Sequence, residues 1–523
     1  MSIQFKIERV EALFGNMELQ TKKTDWQEIS DYAMPGYQDF TTTSMYNANI
    51  PRNVDNSPAM YNKELATTIF NGLVSPGTRW FQFKFKDEQA SHESKIEIAK
   101  LGDIVLDEFV KPASSFSSQM FSVLESCTAF GPGVMGIDYS TSKGVIFKAI
   151  PISQVAVAEN YEGDIDTVVR KFKLTARQIR QKWPTFTHEQ FDKILDKSPE
   201  EMVEVVHAAW PLEGTKRYEY CYLIPEYEAE LEKYTEKHLD FQVLRWAKHA
   251  GETYGHGQGK LALGFMRATT GARAETGNMI RWSGSPAMLT SDEMRALNNL
   301  KGGSQSNPIK PGVIIPGGLV DNQPQVQLLS PAGNISAASA FYTLEQDNLK
   351  RAFFIDKIQL PQDSTRRTAF EVAAIQREEV KYLAPFISNL EMGIKNIILT
   401  VLSIMQEHGK FKDFDIELKD LDIEFLSPLA RQLKMEDARA LNTFLQMALG
   451  FINISPQDAA SIDVPQCLKI LQEATGTPIA AMRSDEKVQE ILQAQQEAAN
   501  IQNQQAQSEI AKNSSEAFKN TQV

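Results

Sequence analysis

Apolar residues at helical spacing mark the longest element of the chain. Leu383, Phe386, Ile387, Leu390, Ile394, Ile397, Ile398, Val401, Leu402 and Met405 recur mostly in steps of three and four, the period of a helix with one buried face. Ahead of the stripe, Thr368-Ala369-Phe370-Glu371 has capping-box spacing: the Thr hydroxyl can accept from the Glu N–H while the Glu side chain reaches back. Gly409 is a natural stop. Pro385 inside the run predicts a kink, because proline removes a helical N–H. At about 1.5 Å per residue such a helix spans roughly 60 Å. A polar loop, Gln359 to Thr365, precedes it and ends in Arg366 and Arg367.

Elsewhere the period changes. Residues 5–32 mix charge and apolar positions at helical spacing, with Trp26, Ile29 and Tyr32 as anchors and Pro35-Gly36 as the stop. Residues 37–57 read as a polar loop. Leu65, Ile69 and Leu73 share a helical face, and Pro76-Gly77 makes a turn. Phe81, Phe83 and Phe85 then alternate with Gln82 and Lys84 as a strand. Helices are predicted over 94–111 and 114–130, ending at Gly131-Pro132-Gly133. From Val134 to about residue 250 the pattern is short strands, interrupted by a helix that Thr175 caps and Pro184 follows. Leu261 to Trp282 has helical spacing but few bulky residues; Gly264, Gly271 and Gly277 would each cost it about 1 kcal/mol, so it needs support from outside itself. Residues 284–334 are rich in Gly, Pro, Ser and Asn, with short strands predicted at Val313–Ile315 and Val326–Leu329. A helix from Ser336 to Phe354 leads back to the loop. Beyond the long helix, an alternating strand precedes a helix starting near Lys434, then short helices over 452–483. The tail from Ser484 is Gln-, Ala- and Asn-rich; it is helix-competent at first, with Ser484 as N-cap, and its last residues have the composition of a disordered end.

Composition narrows the class. The 523 residues are 42% hydrophobic and 23% charged, enough for a real core in several domains or in one elongated, segmented subunit. A net charge of −13 argues against tight, static wrapping of nucleic acid, which calls for a basic surface. Cys127, Cys221 and Cys467 are far apart with no CxxC pair, which favours a reducing compartment over a disulfide framework or a zinc site. The first twenty residues hold no signal-peptide core. No run of about 18 apolar residues occurs, since Lys395 and Asn396 interrupt the longest. These features read as soluble and cytoplasmic.

Catalytic motifs are missing. Tyr254-Gly255-His256-Gly257-Gln258-Gly259-Lys260 invites a phosphate-loop reading, but Tyr254 stands where the first glycine belongs and Leu261 where Ser or Thr belongs. Asp413, Asp415, Glu417, Asp420, Asp422 and Glu424 could be drawn as a metal cluster, yet they alternate with apolar residues as a solvated strand face does. The histidines show no HExxH spacing, and GxSxG is absent. Arg366 and Arg367 remain, either as a solvated loop tip or as a contact to an anionic polymer.

Several stretches, in order, carry a resemblance. They are Trp26 with Tyr32-Ala33-Met34-Pro35-Gly36, the segment Glu64–Phe83, Phe130–Asp138, Tyr254–Leu263, Thr365–Gly409 and Ile423–Lys434. With two helices flanking a Gly/Pro-rich excursion, the chain resembles the portal proteins, or head-to-tail connectors, of short-tailed double-stranded DNA bacteriophages. Met266–Thr276 is richer in Gly, Ala and Thr than that pattern. The resemblance implies an α+β, mainly helical portal fold with wing, stem, clip and crown, assembled as a dodecameric ring at one capsid vertex. It implies a wing over 1–257, stem helices over 258–283 and 335–356 around a clip over 284–334, and a tunnel loop over 357–367. The long kinked helix and a wing strand follow over 368–429, then a crown over 430–483 and a tail over 484–523, helical barrel or disordered. Lys350, Arg351, Lys357, Arg366 and Arg367 would face the DNA channel; Lys301, Asn307, Lys310, Asp321 and Asn322 would dock partners.

Implied partners are further copies of the chain, double-stranded DNA in transit, terminase, tail adaptor or nozzle proteins, major capsid and scaffolding proteins, and internal core or ejection proteins. No membrane, cofactor, metal or catalytic activity is expected, and the expected place is the virion, after assembly in the host cytoplasm. Two other classes stay open. One is another virion structural or ejection protein, which the strands disfavour. The other is a metal-dependent nuclease built on Asp413–Glu424.

Overall fold

The computed structural model describes residues 2–21, 23–37, 40, 55–75, 77–86, 92–284, 288–290, 314–316, 319–320, 323–324, 335–358, 369–411, 421–426, 438–448 and 462–475, with scattered helical positions over 487–501. The architecture is α+β and mainly helical, in two compact units. The first unit holds residues 1–78, 107–410 and 427–429; the second holds 79–106, 411–426 and 430–523.

The N-terminal pattern is helical on both sides of residue 22, which is outside the described residues, as α1 (Ile3–Thr21) and α2 (Lys23–Ala33). Asp25 lies in the first turn of α2, where a carboxylate suits the positive end of the helix dipole. In α3 (Ser57–Leu73) the stripe Leu65, Ile69 and Leu73 is fully buried. After β1 (Phe81–Phe85) and α4 (His92–Val110), α5 (Phe116–Phe130) leads into two antiparallel sheets. One joins β2 (Pro132–Ser140), β3 (Gly144–Ile150) and β9 (Phe241–Arg245). The other is five-stranded, in the sequential order β4 (Val155–Glu159), β5 (Ile165–Thr175), β6 (Met202–Pro211), β7 (Tyr218–Ile224) and β8 (Ala229–Glu236). Thr175 caps α6 (Ala176–Lys182) in a reciprocal capping box with Gln178.

Two elements here were not legible as such. β8 is mostly charged, the composition of an edge strand that resists further pairing. α7 (Glu189–Lys197) fully buries only Phe191. The sheet face carrying Val169, Val206, Ala208, Trp210, Cys221 and Leu223 packs on Val10 of α1. Lys6 of α1 is buried there, its ammonium 2.8 Å from Glu230 and 3.4 Å from Glu219. Burial pushes Lys6 down, but the bond to Glu230 and the neighbouring carboxylates outweigh it and raise its pKa.

α8 (Gln258–Gly284) and α9 (Ile335–Ala352) pack on each other. Between them β10 (Met288–Thr290) pairs in parallel with β11 (Ile314–Pro316), close to the expected strand at 313–315. β12 (Leu319–Val320) pairs with β13 (Gln323–Pro324); the strand expected at 326–329 lies outside the described residues. α10 (Ile355–Ile358) follows, and α11 (Ala369–Glu407) is the long helix, 39 residues with Pro385 inside. Its proposed cap, Thr368, is outside the described residues. Leu383, Ile387, Leu390, Ile394, Ile397, Ile398, Val401, Leu402 and Met405 are all buried. By length and composition Tyr382–Glu407 could cross a membrane, although Lys395 and Asn396 interrupt its apolar run; here its stripe is core. Gly409, at φ +69°, ends it as expected. Lys410 N–H reaches Met405 O and Gly409 N–H reaches Gln406 O, both at 3.0 Å, the paired bonds of a Schellman stop.

In the second unit β1 pairs antiparallel with β14 (Leu421–Phe425) from Phe81↔Phe425 to Phe85↔Leu421. Phe81 and Phe83 are buried with Ile98, Leu101 and Val105 of α4 also in the core. Helices over 438–448 and Val464–Thr475 complete what is described.

The glycines of Tyr254–Lys260 have a packing role. A Cβ on Gly255 (φ +75°) would stand 2.2 Å from Ala247 O, one on Gly257 2.6 Å from Thr128 O, and one on Gly259 2.3 Å from Ala129 O. The strap lies flat on the last turn of α5 and delivers the chain into α8. Gly257→Ala is therefore expected to lower stability by about 1–3 kcal/mol through overpacking, read as a fall in urea midpoint, whereas Gly15→Ala, with open space around it, is expected to raise it by about 1 kcal/mol.

Candidate functional site

α8 leaves the core where α9 returns to it, and one tryptophan holds the crossing. Trp246 is fully buried, and its backbone N–H donates to Gly131 O at 2.8 Å. Its ring stacks on Phe386 of α11 with centroids 4.6 Å apart, and Asn389 donates to its carbonyl at 3.2 Å. The Gln258 amide, oriented by its neighbours, accepts from Trp246 Nε1 at 3.2 Å and donates to Ala352 O at 2.9 Å. The Gln258 amide at the start of α8 thus joins the last residue of α9 to the buried indole.

Farther out, Arg273 of α8 donates to the buried carboxylate of Asp55 at 2.8 Å and lies 3.5 Å from the Tyr342 hydroxyl of α9. Gln346 of α9 bonds Tyr342 at 2.7 Å and Ser57 at 3.2 Å. These pairings set the two helices antiparallel. Arg267 donates to Glu28 of α2 at 2.6 Å, and that bond holds the Glu28 carboxyl below its ordinary pKa. Past Ala272 no residue of α8 is buried, and in α9 only Leu349 is. Leu261, Ile280, Phe341 and Leu344 are each more than half exposed. Cβ atoms on Gly264, Gly271 and Gly277 would meet nothing within 4 Å.

Of the residues chosen from sequence, Lys350 and Arg351 close α9 on its outer side, beside buried Leu349; Lys350 lies 3.5 Å from Asp347 and Arg351 is exposed. Phe354, at φ +58°, then turns the chain into α10, which carries Lys357. The Lys357 side chain is outside what is described, as are Arg366 and Arg367. Lys301, Asn307, Lys310, Asp321 and Asn322 also lie outside the described residues. Lys350 and Arg351 set two adjacent cations at a helix end.

The acidic run is described only in β14. Glu424 is 2.8 Å from Lys84 and 2.6 Å from Gln82 across the strand pair, Asp422 is exposed, and Leu421 and Ile423 are buried. Asp413, Asp415, Glu417 and Asp420 are outside the described residues. Cys127 and Cys221 are buried without a disulfide; burial raises both thiols, that of Cys221 to about 12. Sequence spacing missed two clusters that folding assembles: Glu236, His238 and Glu407, and His249, Glu252 and His256.

The chain matches the profile of the family described as bacteriophage head to tail connecting protein over residues 9–482. It belongs to that family. Within it, the chain is similar to the portal protein of Salmonella phage epsilon15, 22% identical over 531 aligned residues that cover 96% of this chain and 93% of the relative. It is likewise similar to the probable portal protein of Bordetella phage BPP-1, 22% identical over 475 residues, 84% of this chain and 82% of the relative. The α8–Trp246–α9 crossing of this connector family member lies well inside the matched span.

Trp246→Ala is expected to destabilise the connector chain by about 3–5 kcal/mol, read by chemical denaturation. Gln258→Ala should cost less, about 1–3 kcal/mol, because it strands the buried indole N–H.

Proposed function

We propose that this connector family member is the portal subunit of a phage particle. Copies close into a ring, a dodecamer, at one capsid vertex; the ring is the channel for genome packaging and ejection and the platform on which terminase and tail adaptors dock. The observation that carries this reading is the family match across residues 9–482 together with near full-length similarity to a portal protein.

The exposed faces of α8 and α9 support assembly. A helix with open glycines and exposed Leu261, Ile280, Phe341 and Leu344 has the surface of an element covered by a neighbouring copy. In this reading 1–257 is wing, 258–283 and 335–356 are stem, 284–334 is clip, 357–367 is tunnel loop, 368–429 is the long helix with a wing strand, 430–483 is crown and 484–523 is tail. Arg366 and Arg367, with Lys350, Arg351 and Lys357, touch passing phosphates. Lys301, Asn307, Lys310, Asp321 and Asn322 meet terminase and then tail adaptors. Capsid, scaffolding and internal ejection proteins contact the ring elsewhere, and the subunit works without catalysis. Net charge of −13 suits a conduit: DNA must slide, so most of the surface should not hold it. Repetition around a ring multiplies each weak loop contact.

Negative-stain microscopy of the purified chain is expected to show rings with a central hole; monomers under every assembly condition tried, scaffold included, would contradict the proposal. Within such rings, Arg366→Ala combined with Arg367→Ala should leave assembly unchanged and reduce packaged or retained DNA, measured as genome length per particle. Wild-type packaging and retention would remove the phosphate-contact role.

A further inference from the structure

The turn from β8 to β9 meets the C-terminal end of α11 in a cluster that a DNA conduit leaves unused. Glu236 ends β8, His238 and Asp240 lie in the turn, and Ser403 and Glu407, one helical turn apart, come from α11. One ligand atom from each of Glu236, His238 and Glu407 lies within 4.8 Å of the others. The imidazole is already oriented. Its Nε2 is 3.1 Å from Asp240 Oδ1, and its Nδ1 is 3.4 Å from Ser403 Oγ, on the side of α11 that also carries Glu407. The turn itself is pinned: Tyr220 Oη accepts from the Asp240 N–H at 2.7 Å and donates to His238 O at 3.0 Å. A carboxylate that fixes one imidazole nitrogen and leaves the other facing further carboxylates is how metal-ligating histidines are held.

We propose that Glu236, His238 and Glu407 bind a divalent first-row transition cation through His238 Nδ1 and one oxygen of each carboxylate, with Asp240 as the positioning residue. One nitrogen and two carboxylates suit zinc, cobalt or manganese; magnesium and calcium take shells of oxygen. The His238 side chain is 10% exposed and that of Glu407 30%, so the ring is sheltered while water can reach and complete the shell. Lys237 lies 3.8 Å from Glu407 and is 62% exposed; it is the internal cation that the metal displaces into solvent. His408, stacked on Tyr139 at 3.6 Å, is not a ligand. The other cluster is the weaker site. Its two imidazoles stack face to face at 4.0 Å, and Glu252 already serves His256, the His249 N–H and Lys260. A bound cation would tie the turn after the five-stranded sheet to the end of the longest helix.

The test is calorimetric titration of Zn2+ into the full-length, chelator-stripped chain, with Co2+ absorption as a second readout. One equivalent per chain is expected, with visible cobalt bands. Glu407→Gln, a change at a partly exposed side chain, and His238→Ala should each weaken binding at least tenfold, with circular dichroism unchanged. Asp240→Asn should weaken it about 10–100-fold and shift the cobalt bands, as a purely structural substitution would not. His256→Ala should bind as wild type. The proposal is overturned by a wild-type chain that takes up neither ion, by Glu407→Gln binding as tightly as wild type, or by loss of binding in His256→Ala, which would assign the ion to the other cluster.

Discussion

One buried indole joins parts of the first unit that lie far apart in sequence. Trp246 lies between the sheet that β9 edges, the long helix through Phe386 and Asn389, and the two ends of the α8–α9 excursion through Gln258. The position of Lys350 and Arg351 follows from where α9 ends, and α9 ends where its last carbonyl meets the Gln258 amide. The backbone shares the constraint. Gly393 of α11 passes so close to β9 that a Cβ would stand 2.8 Å from Leu244, so helix and strand can approach only with glycine there.

The excursion combines burial of the first half of α8 with polar contacts farther along. Arg273, Asp55, Tyr342 and Gln346 form a chain of hydrogen bonds between α8, α9 and the start of α3. Asp55 is fully buried, and a buried carboxylate requires its guanidinium partner. Past Ala272, no described residue of α8 is buried. The helix pair is thus divided: its inner part is buried and tied down through Gln258, Arg267 and Arg273, and its outer part is exposed.

Much of this was legible in the sequence, and for identifiable reasons. The α11 stripe, the β1 alternation, the Thr175 cap and the Gly409 stop each rest on local periodicity or on one residue's backbone preference. They came through because tertiary packing reinforces them. What escaped depends on distance along the chain. β8 is a strand only because β7 pairs with it; its own side chains read as solvated. The β10–β11 pair is parallel and joins segments across a Gly- and Pro-rich stretch, so neither partner announces the other. His238 is unremarkable beside Leu239, and becomes a poised imidazole only when α11 brings Glu407 to it. Of the site residues chosen by resemblance, side-chain geometry is described only for Lys350 and Arg351.

The open glycines of α8 carry one further consequence. A lone subunit meets the entropic penalty of Gly264, Gly271 and Gly277, about 1 kcal/mol each, with no contact on that face to offset it. If a neighbouring copy supplies the contact, helix order and association become one linked equilibrium. α8 is then softest when subunits are dilute and firms as they accumulate, so the order of this helix is set by subunit concentration.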